Sequence, residues 1–166
     1  SGTYSTPVVL NEVSGASATN TITFQSADAN ADSVIWENTA NSSGSNYVLH
    51  LNGTDHITLK HITFKNQGTS YSRKIVLSGV LDSVTIDSSK FLGVQSSQNL
   101  HTSIYGSGAD ATGLKIKNNT FTNGGYYAIY LDSDNTSSPP TGLEISNNTF
   151  TDTYGGIYAR YYDALT

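Results

Sequence analysis

The feature that most restricts the fold of this chain is an internal repeat of nearly constant period. Four nine-residue segments align, with starts 27, 30 and 29 residues apart, at residues 56–64, 83–91, 113–121 and 142–150. The last two read GLKIKNNTF and GLEISNNTF, and a looser copy begins at Thr21. A period of this length indicates structural units that stack on one another and bury a shared core.

The residues inside each repeat predict short strands separated by bends. Leu114 and Ile116 alternate with polar residues, which is the pattern of a strand with one buried face. The Asn118-Asn119 pair predicts a sharp bend, because asparagine tolerates the left-handed conformation, and Phe121 then returns to the interior. A further strand follows in each copy, at residues 74–77, 103–105, 128–131 and 156–159. Each repeat therefore contains about three short strands.

Composition narrows the class of protein. Serine, threonine and asparagine number 23, 21 and 15 of 166 residues, and only 13% of residues are charged. Such a sequence does not suit a helical bundle or a coiled coil. A net charge of −5 argues against nucleic-acid binding, and the lack of cysteine excludes disulfides and thiolate chemistry. No run approaches the roughly 20 apolar residues of a membrane span.

The Ile-x-Asn-Asn-x-Phe elements at 116–121 and 145–150 resemble the coils of the right-handed parallel β-helix of the pectate-lyase-like superfamily. The resemblance covers roughly residues 20–162. It implies stacked asparagines at the bend between the second and third strands of each coil. Asn118 and Asn147, or Asn119 and Asn148, would take that place. The opening residues also look like the start of β-helix domains in large secreted proteins of Bacteroidetes type.

The expected fold is all-β. It is a single-stranded right-handed parallel β-helix of about five coils with three short strands per coil. Residues 1–166 are expected to be a single β-helix domain cut from a larger bacterial protein that is secreted or displayed on the cell surface. A β-sandwich of short strands is the alternative, although a sandwich does not require this repeat.

Two columns of outward side chains follow from this register. The repeat predicts that four aligned isoleucines point inward: Ile75, Ile104, Ile129 and Ile157. The residues next to them then point outward and form a column on one face, which consists of His50, Val76, Tyr105, Tyr130 and Tyr158. A second outward column four residues upstream contains Asn46, Ser72, His101, Tyr126 and Tyr154. Tyr162 is expected to extend this aromatic face.

A flat set of exposed aromatic rings on rigid strands is typical of a sugar-binding surface, because pyranose rings lie on aromatic faces. The predicted ligand contacts are Tyr126, Tyr130, Tyr154 and Tyr158, with Arg160, Asp132, Tyr105 and His101 in support. Two other interpretations stay open. The tyrosines can be a ladder that only reinforces the sheet, or the register can be wrong by one residue, which would bury them.

Asp132 and Arg160 lie two residues after Tyr130 and Tyr158, so they are expected side by side as an ion pair. Arg160 is alternatively a bidentate donor to sugar hydroxyls or to a uronic carboxylate. Asp132 and Asp134 also offer the oxygen ligands that Ca²⁺ prefers, and calcium at this position is a minor alternative. The loop from Asp132 to Thr141 is expected to border the tyrosine face.

The superfamily includes pectate lyases, which hold Ca²⁺ with acidic residues and use an arginine base, and polygalacturonases, which use clustered aspartates. The columns show no such cluster, so a non-catalytic role with no bound cofactor is expected. β-Helical binding modules attached to xylanases are known. The expected function is therefore a carbohydrate-binding module for a plant cell-wall polysaccharide, xylan first, covalently linked to a catalytic domain. The alternatives are a structural repeat of a bacterial adhesin or stalk, and a fragment of a polysaccharide lyase.

Overall fold

The structure, a computed structural model, describes residues 1–163, over which the chain winds as a stack of parallel coils. Each coil contributes one strand to each of three sheets that run along the stack. Every pairing between neighbouring strands is parallel, as a chain that returns to the same sheet once per turn requires. The predicted all-β parallel β-helix of about five coils is confirmed, and a β-sandwich is excluded, because sandwich sheets are antiparallel.

The first sheet, which we call the tyrosine sheet, consists of β2 (Val8–Asn11), β5 (Leu49–Asn52), β8 (Ile75–Ser78), β12 (Ile104–Ser107), β16 (Tyr127–Asp132) and β19 (Gly155–Arg160). The phenylalanine sheet consists of β1 (Gly2–Tyr4), β4 (Val34–Asn38), β7 (Thr63–Asn66), β11 (Lys90–Leu92), β15 (Thr120–Thr122) and β18 (Thr149–Thr151). The third sheet consists of β3 (Ile22–Gln25), β6 (Ile57–Lys60), β10 (Thr85–Asp87), β14 (Lys115–Lys117) and β17 (Glu144–Ser146).

Short elements complete the coils. The strands β9 (Val80–Asp82) and β13 (Asp110–Thr112) pair with each other between the tyrosine sheet and the third sheet. The described part of the chain also contains three 3₁₀ turns, at Ala31–Ser33, Ser43–Ser45 and Asn99–His101. Residues 1–163 contain no helix that is long and apolar enough to cross a membrane.

The bend between the third sheet and the phenylalanine sheet uses the two asparagines differently. Asn118 and Asn147 adopt left-handed backbone conformations, with φ of 56° and 54°, and their side chains are exposed. Asn119 is buried, and its backbone N–H donates to Oδ1 of Asn148 at 2.9 Å. In turn, Oδ1 of Asn119 accepts the N–H of Ser89 at 2.9 Å. The stack that the resemblance implied is therefore made by Asn119 and Asn148.

The core is narrow and consists of columns of like residues. Phe64, Phe91 and Phe121 are fully buried, with ring centroids 5.3 and 4.6 Å apart in succession. Trp36 and Phe150 extend this stack at its two ends. The rings stack because parallel strands place equivalent residues about 4.8 Å apart.

Candidate functional site

The register of the tyrosine sheet agrees with the prediction from the repeat, although Ile157, in the last strand of the sheet, is 46% exposed. Ile104 pairs with Ile129 and is fully buried, whereas Tyr105 pairs with Tyr130 and lies on the outer surface. Tyr130 pairs in turn with Tyr158. The alternative in which a one-residue shift buries the tyrosines is therefore excluded.

The ring orientation differs from the flat face that the sequence analysis predicts. Centroids of Tyr105 and Tyr130 are 5.3 Å apart with planes 15° from parallel, and those of Tyr130 and Tyr158 are 4.7 Å apart at 7°. These separations are close to the spacing of the strands, so the rings stack on one another along the axis. The faces of Tyr130 are covered by its two neighbours, and the ladder presents ring edges and hydroxyl groups to solvent.

A second pair of rings is more accessible. Tyr126 and Tyr154 are 40% and 70% exposed, and their centroids lie 5.3 Å apart. Tyr127 joins this pair to the ladder. Its ring centroid lies 4.7 Å from that of Tyr126, in an edge-on arrangement, and 5.3 Å from that of Tyr158. We call the whole set the tyrosine surface; it consists of Tyr105, Tyr126, Tyr127, Tyr130, Tyr154 and Tyr158.

The second predicted column is outward only in its last two members. Asn46, Ser72 and His101 are buried, so the prediction that His101 supports a ligand on the surface is wrong. His101 ends a 3₁₀ turn in a loop, where the alternation of strand residues does not apply. Its Nε2 lies 3.0 Å from the carbonyl oxygen of Thr69 and donates to it, because a carbonyl oxygen only accepts.

His101 belongs to a buried polar region at the corner where the chain passes from the phenylalanine sheet into the tyrosine sheet. We call this region the polar vertex; it consists of Asn66, Ser72, Lys74, His101, Thr102 and Ser103. Its members lie in or beside the loops of varying length between the two sheets, so sequence periodicity does not reveal them. Nδ1 of His101, Oγ1 of Thr102 and Oγ of Ser103 have no hydrogen-bond partner within residues 1–163.

Lys74 is the most unusual member of the polar vertex, because its side chain is 0% exposed. Its Nζ donates to the carbonyl oxygen of His101 at 3.2 Å. No Asp or Glu carboxylate of the described residues lies within salt-bridge distance of Lys74. Burial of the ammonium group lowers the pKa of Lys74 to about 7.

Asp132 and Arg160 form the predicted ion pair at one edge of the tyrosine surface. Nε and Nη2 of Arg160 donate to the two carboxylate oxygens at 2.8 and 2.6 Å, and the Tyr130 hydroxyl donates to Asp132 at 3.3 Å. The Arg160 hydrogen bonds lower the pKa of Asp132 despite its burial, and the same contact raises the pKa of Arg160. Burial and then the Asp132 charge raise the pKa of Tyr130.

This pairing bears on the calcium alternative. Both carboxylate oxygens of Asp132 already accept hydrogen bonds from Arg160, whereas the Asp134 side chain is exposed in the following loop. Within residues 1–163, no three His, Asp or Glu side chains are grouped in a way that could hold a metal ion. The part of the chain that the structure describes therefore offers no arrangement that favours a cation.

Arg73 is a surface residue that the sequence analysis did not identify. Its guanidinium carbon lies 3.3 Å from the centroid of the Tyr105 ring, and Arg73 thereby covers the end of the ladder that faces the N-terminal coils. Nε of Arg73 donates to the carbonyl oxygen of Asn99 at 3.1 Å. Strand periodicity gives no signal for this position, because a residue two before the inward Ile75 is expected to point inward as well.

Tyr162 does not extend the aromatic face, so that expectation is wrong. The backbone is left-handed at Tyr161, whose φ is 58°, and Tyr162 packs toward the interior. Its hydroxyl donates to the carbonyl oxygen of Ala109 at 3.0 Å, and its ring packs against the core. Burial raises the pKa of Tyr162.

Comparison with known proteins gives one match. The sequence model of the right-handed β-helix region family matches residues 8–166, which is nearly the whole chain. No curated protein and no solved structure shows significant similarity to the chain.

Proposed function

The chain belongs to the family of right-handed β-helix regions, and on that premise we propose that it is a non-catalytic module that binds a polysaccharide across the tyrosine surface. The observation that carries the proposal is the exposed pair of Tyr126 and Tyr154 beside the ladder of Tyr105, Tyr130 and Tyr158. Aromatic rings accept the C–H faces of sugars, while hydroxyl and charged groups serve the sugar hydroxyls.

Under this proposal, two parts of the tyrosine surface make different contacts with the glycan. Tyr154, the more exposed ring, supplies a face on which a pyranose can stack. The ladder supplies a row of phenol hydroxyls. The carboxylate of Asp132 and the guanidinium group of Arg160 lie beside the hydroxyl of Tyr130. The ladder residues lie on paired strands, and Tyr126 and Tyr154 directly precede two of these strands, so little conformational entropy is lost when a ligand binds.

Xylan is the first ligand that we propose, on the resemblance to β-helical modules attached to xylanases. Under this proposal the module lies beside a catalytic domain of a longer bacterial protein that is secreted or displayed on the cell surface. The module holds that catalytic domain at a plant cell-wall polysaccharide and takes no part in the chemistry.

The test is affinity electrophoresis in gels cast with xylan, β-glucan, mannan or pectin. We expect one glycan to retard the protein, and we expect Tyr154→Ala to weaken the interaction about tenfold through loss of stacking. Tyr130→Phe keeps the ring and removes the hydroxyl, so it should weaken binding less than Tyr130→Ala. Tyr4→Ala is the matched control, because Tyr4 is 54% exposed on the phenylalanine sheet.

A structural role for the tyrosines is the second candidate, and the stacking of Tyr105, Tyr130 and Tyr158 favours it. Stacked rings on neighbouring strands stabilise an exposed sheet without any ligand. If no glycan retards the protein, or if Tyr154→Ala and Tyr130→Ala both keep full retardation, the coils are better explained as a stalk or adhesin repeat. In that case Tyr130→Ala should still lower the thermal midpoint.

A further inference from the structure

Arg73 carries a positive charge that no described side chain neutralises. The four ion pairs of residues 1–163 involve Lys60, Lys65, Lys90 and Arg160, and none involves Arg73. Its Nε donates to a backbone carbonyl oxygen, but no carboxylate of residues 1–163 lies within 4.0 Å of its guanidinium group. An arginine stays protonated under all ordinary conditions, so this charge is permanent.

The segments that contact Arg73 contain no acidic residue, although the chain as a whole is acidic. Its backbone N–H donates to Oδ1 of Asn46, its Nε to the backbone of Asn99, and its guanidinium covers Tyr105. The segments that supply these partners, 38–54, 56–81 and 88–109, hold no aspartate or glutamate, whereas the net charge is −5. Lys74 and His101 lie beneath this surface in the polar vertex, so the titratable side chains buried there are basic.

Position and geometry make Arg73 suitable for a ligand. The guanidinium lies on the end ring of the ladder, on the surface that the proposed function assigns to the glycan. Stacking on Tyr105 restrains the guanidinium plane. A restrained planar fork of N–H groups is suited to an oxyanion, which it binds through two parallel hydrogen bonds. Asp132 does not compete for it, because Asp132 is held by Arg160.

We infer that the glycan bound on the tyrosine surface carries an oxyanion substituent, a carboxylate or a sulfate ester, that pairs with Arg73. The inference rests on the proposed function and adds the chemical class of the ligand to it. Arg73 binds the oxyanion at the Tyr105 end of the ladder, while Tyr154 stacks on a sugar ring of the same glycan. An acidic polysaccharide therefore binds more tightly than its neutral derivative, and Arg73 is the residue that causes the difference.

The experiment compares each acidic polymer with its own neutral derivative. Glucuronoxylan is used before and after chemical reduction of its carboxyl groups, and carrageenan before and after desulfation. The proteins are the wild type, Arg73→Met and Lys115→Met. Methionine keeps an apolar stem on Tyr105, and Lys115 is an exposed lysine of the third sheet, so its variant controls for loss of one positive charge elsewhere. Circular dichroism checks that each variant is folded.

We expect the wild type to bind one native polymer about tenfold more tightly than its neutral derivative at low ionic strength. The pair that shows the difference identifies the substituent as a carboxylate or a sulfate. Arg73→Met should abolish the difference and retain binding to the neutral derivative, whereas Lys115→Met should preserve the difference. The preference should shrink in about 0.5 M NaCl, because salt screens a partly exposed pair.

The other outcomes separate this inference from the proposed function. Equal binding of native and neutral forms, or a preference that persists in Arg73→Met, overturns the role of Arg73 and leaves glycan binding in place. A loss of binding to both forms in Arg73→Met would mean that Arg73 only supports the ladder, which also overturns it. If no polysaccharide is bound, the proposed function fails and the inference fails with it.

Discussion

The Nζ atom of Lys74 donates a hydrogen bond of 3.2 Å to the backbone carbonyl oxygen of His101, and both side chains are buried. The two residues belong to adjacent coils, so this bond ties one turn of the β-helix to the next. No described carboxylate forms a salt bridge with Lys74, and Nδ1 of His101 has no partner within residues 1–163. Protonation of either group is therefore unfavourable in the folded state.

Stability should rise with pH above neutrality because of Lys74. Its pKa is about 7 in the folded protein and 10.5 in the unfolded chain, so the unfolded state binds more protons between these values. The free energy of unfolding should increase by about 2 kcal/mol between about pH 7 and pH 9. Urea unfolding across this range measures the slope.

The control for this prediction is the same titration on two variants. Lys74→Met should remove most of the slope and raise stability at pH 7, whereas Lys115→Met should keep the slope of the wild type. If the unfolding free energy of the wild type does not change with pH over this range, the prediction that Lys74 is buried without a carboxylate partner is wrong.

Gly93 should not accept a side chain. A Cβ atom at this position would lie 2.0 Å from Nζ of Lys74 and 2.5 Å from the carbonyl oxygen of Asn123. The lysine end can move, but the backbone of Asn123 is held in the next coil. Gly93→Ala should therefore cost about 3 kcal/mol of unfolding free energy, measured by urea denaturation. Gly156→Ala is the control, because nothing lies within 4 Å of its added Cβ; equal effects of the two variants would rule out the clash.

The asparagine stack should depend on Asn119 much more than on Asn118. Asn119 accepts the N–H of Ser89 at 2.9 Å and donates to the carbonyl oxygen of Ile86 at 2.9 Å. Asn119→Ala leaves both groups buried without partners, at a cost of about 2–4 kcal/mol. Asn118 has φ of 56°, which suits glycine, so Asn118→Gly should change stability by less than about 1 kcal/mol. Thermal and urea unfolding of the two variants compare the positions directly.

The ion pair of Asp132 and Arg160 should lose its effect in acid. Because hydrogen bonds from Arg160 lower the pKa of Asp132 in the folded state, the pair stabilises the protein above the unfolded pKa of the carboxyl. This contribution disappears as the pH falls through the lowered folded value. Arg160→Gln should therefore lower the thermal midpoint at pH 7 and lower it less at about pH 3, which lies below the unfolded pKa of the carboxyl group. A loss of the same size at both pH values would show that Arg160 acts through packing alone.

Much of the fold follows from residues that repeat along the chain. The spacing of the Asn-Asn-x-Phe elements predicts the bends, and the alternation of Ile104 with Tyr105 predicts which face is buried. The pairing of Asp132 with Arg160 follows from the same register. These predictions succeed because a strand alternates its side chains with a period of two and a parallel stack places equivalent residues in line.

The loops follow no such rule, since the repeats differ in length by up to three residues. His101 fits the outward column by count, yet its loop turns it inward, and Lys74 is buried beside it. Arg73 meets Tyr105 only because the chain enters strand β8 from that loop.

Local patterns in the chain therefore predict the coil, its register and every residue of the tyrosine surface except Tyr127, which lies two positions before the inward Ile129. Contacts between coils set the stacking of the ladder rings, the position of Arg73 over one end of the ladder, and the burial of Lys74. The physical reason is that strand periodicity is local, whereas ring stacking and loop burial depend on which side chains from neighbouring coils fill the same space.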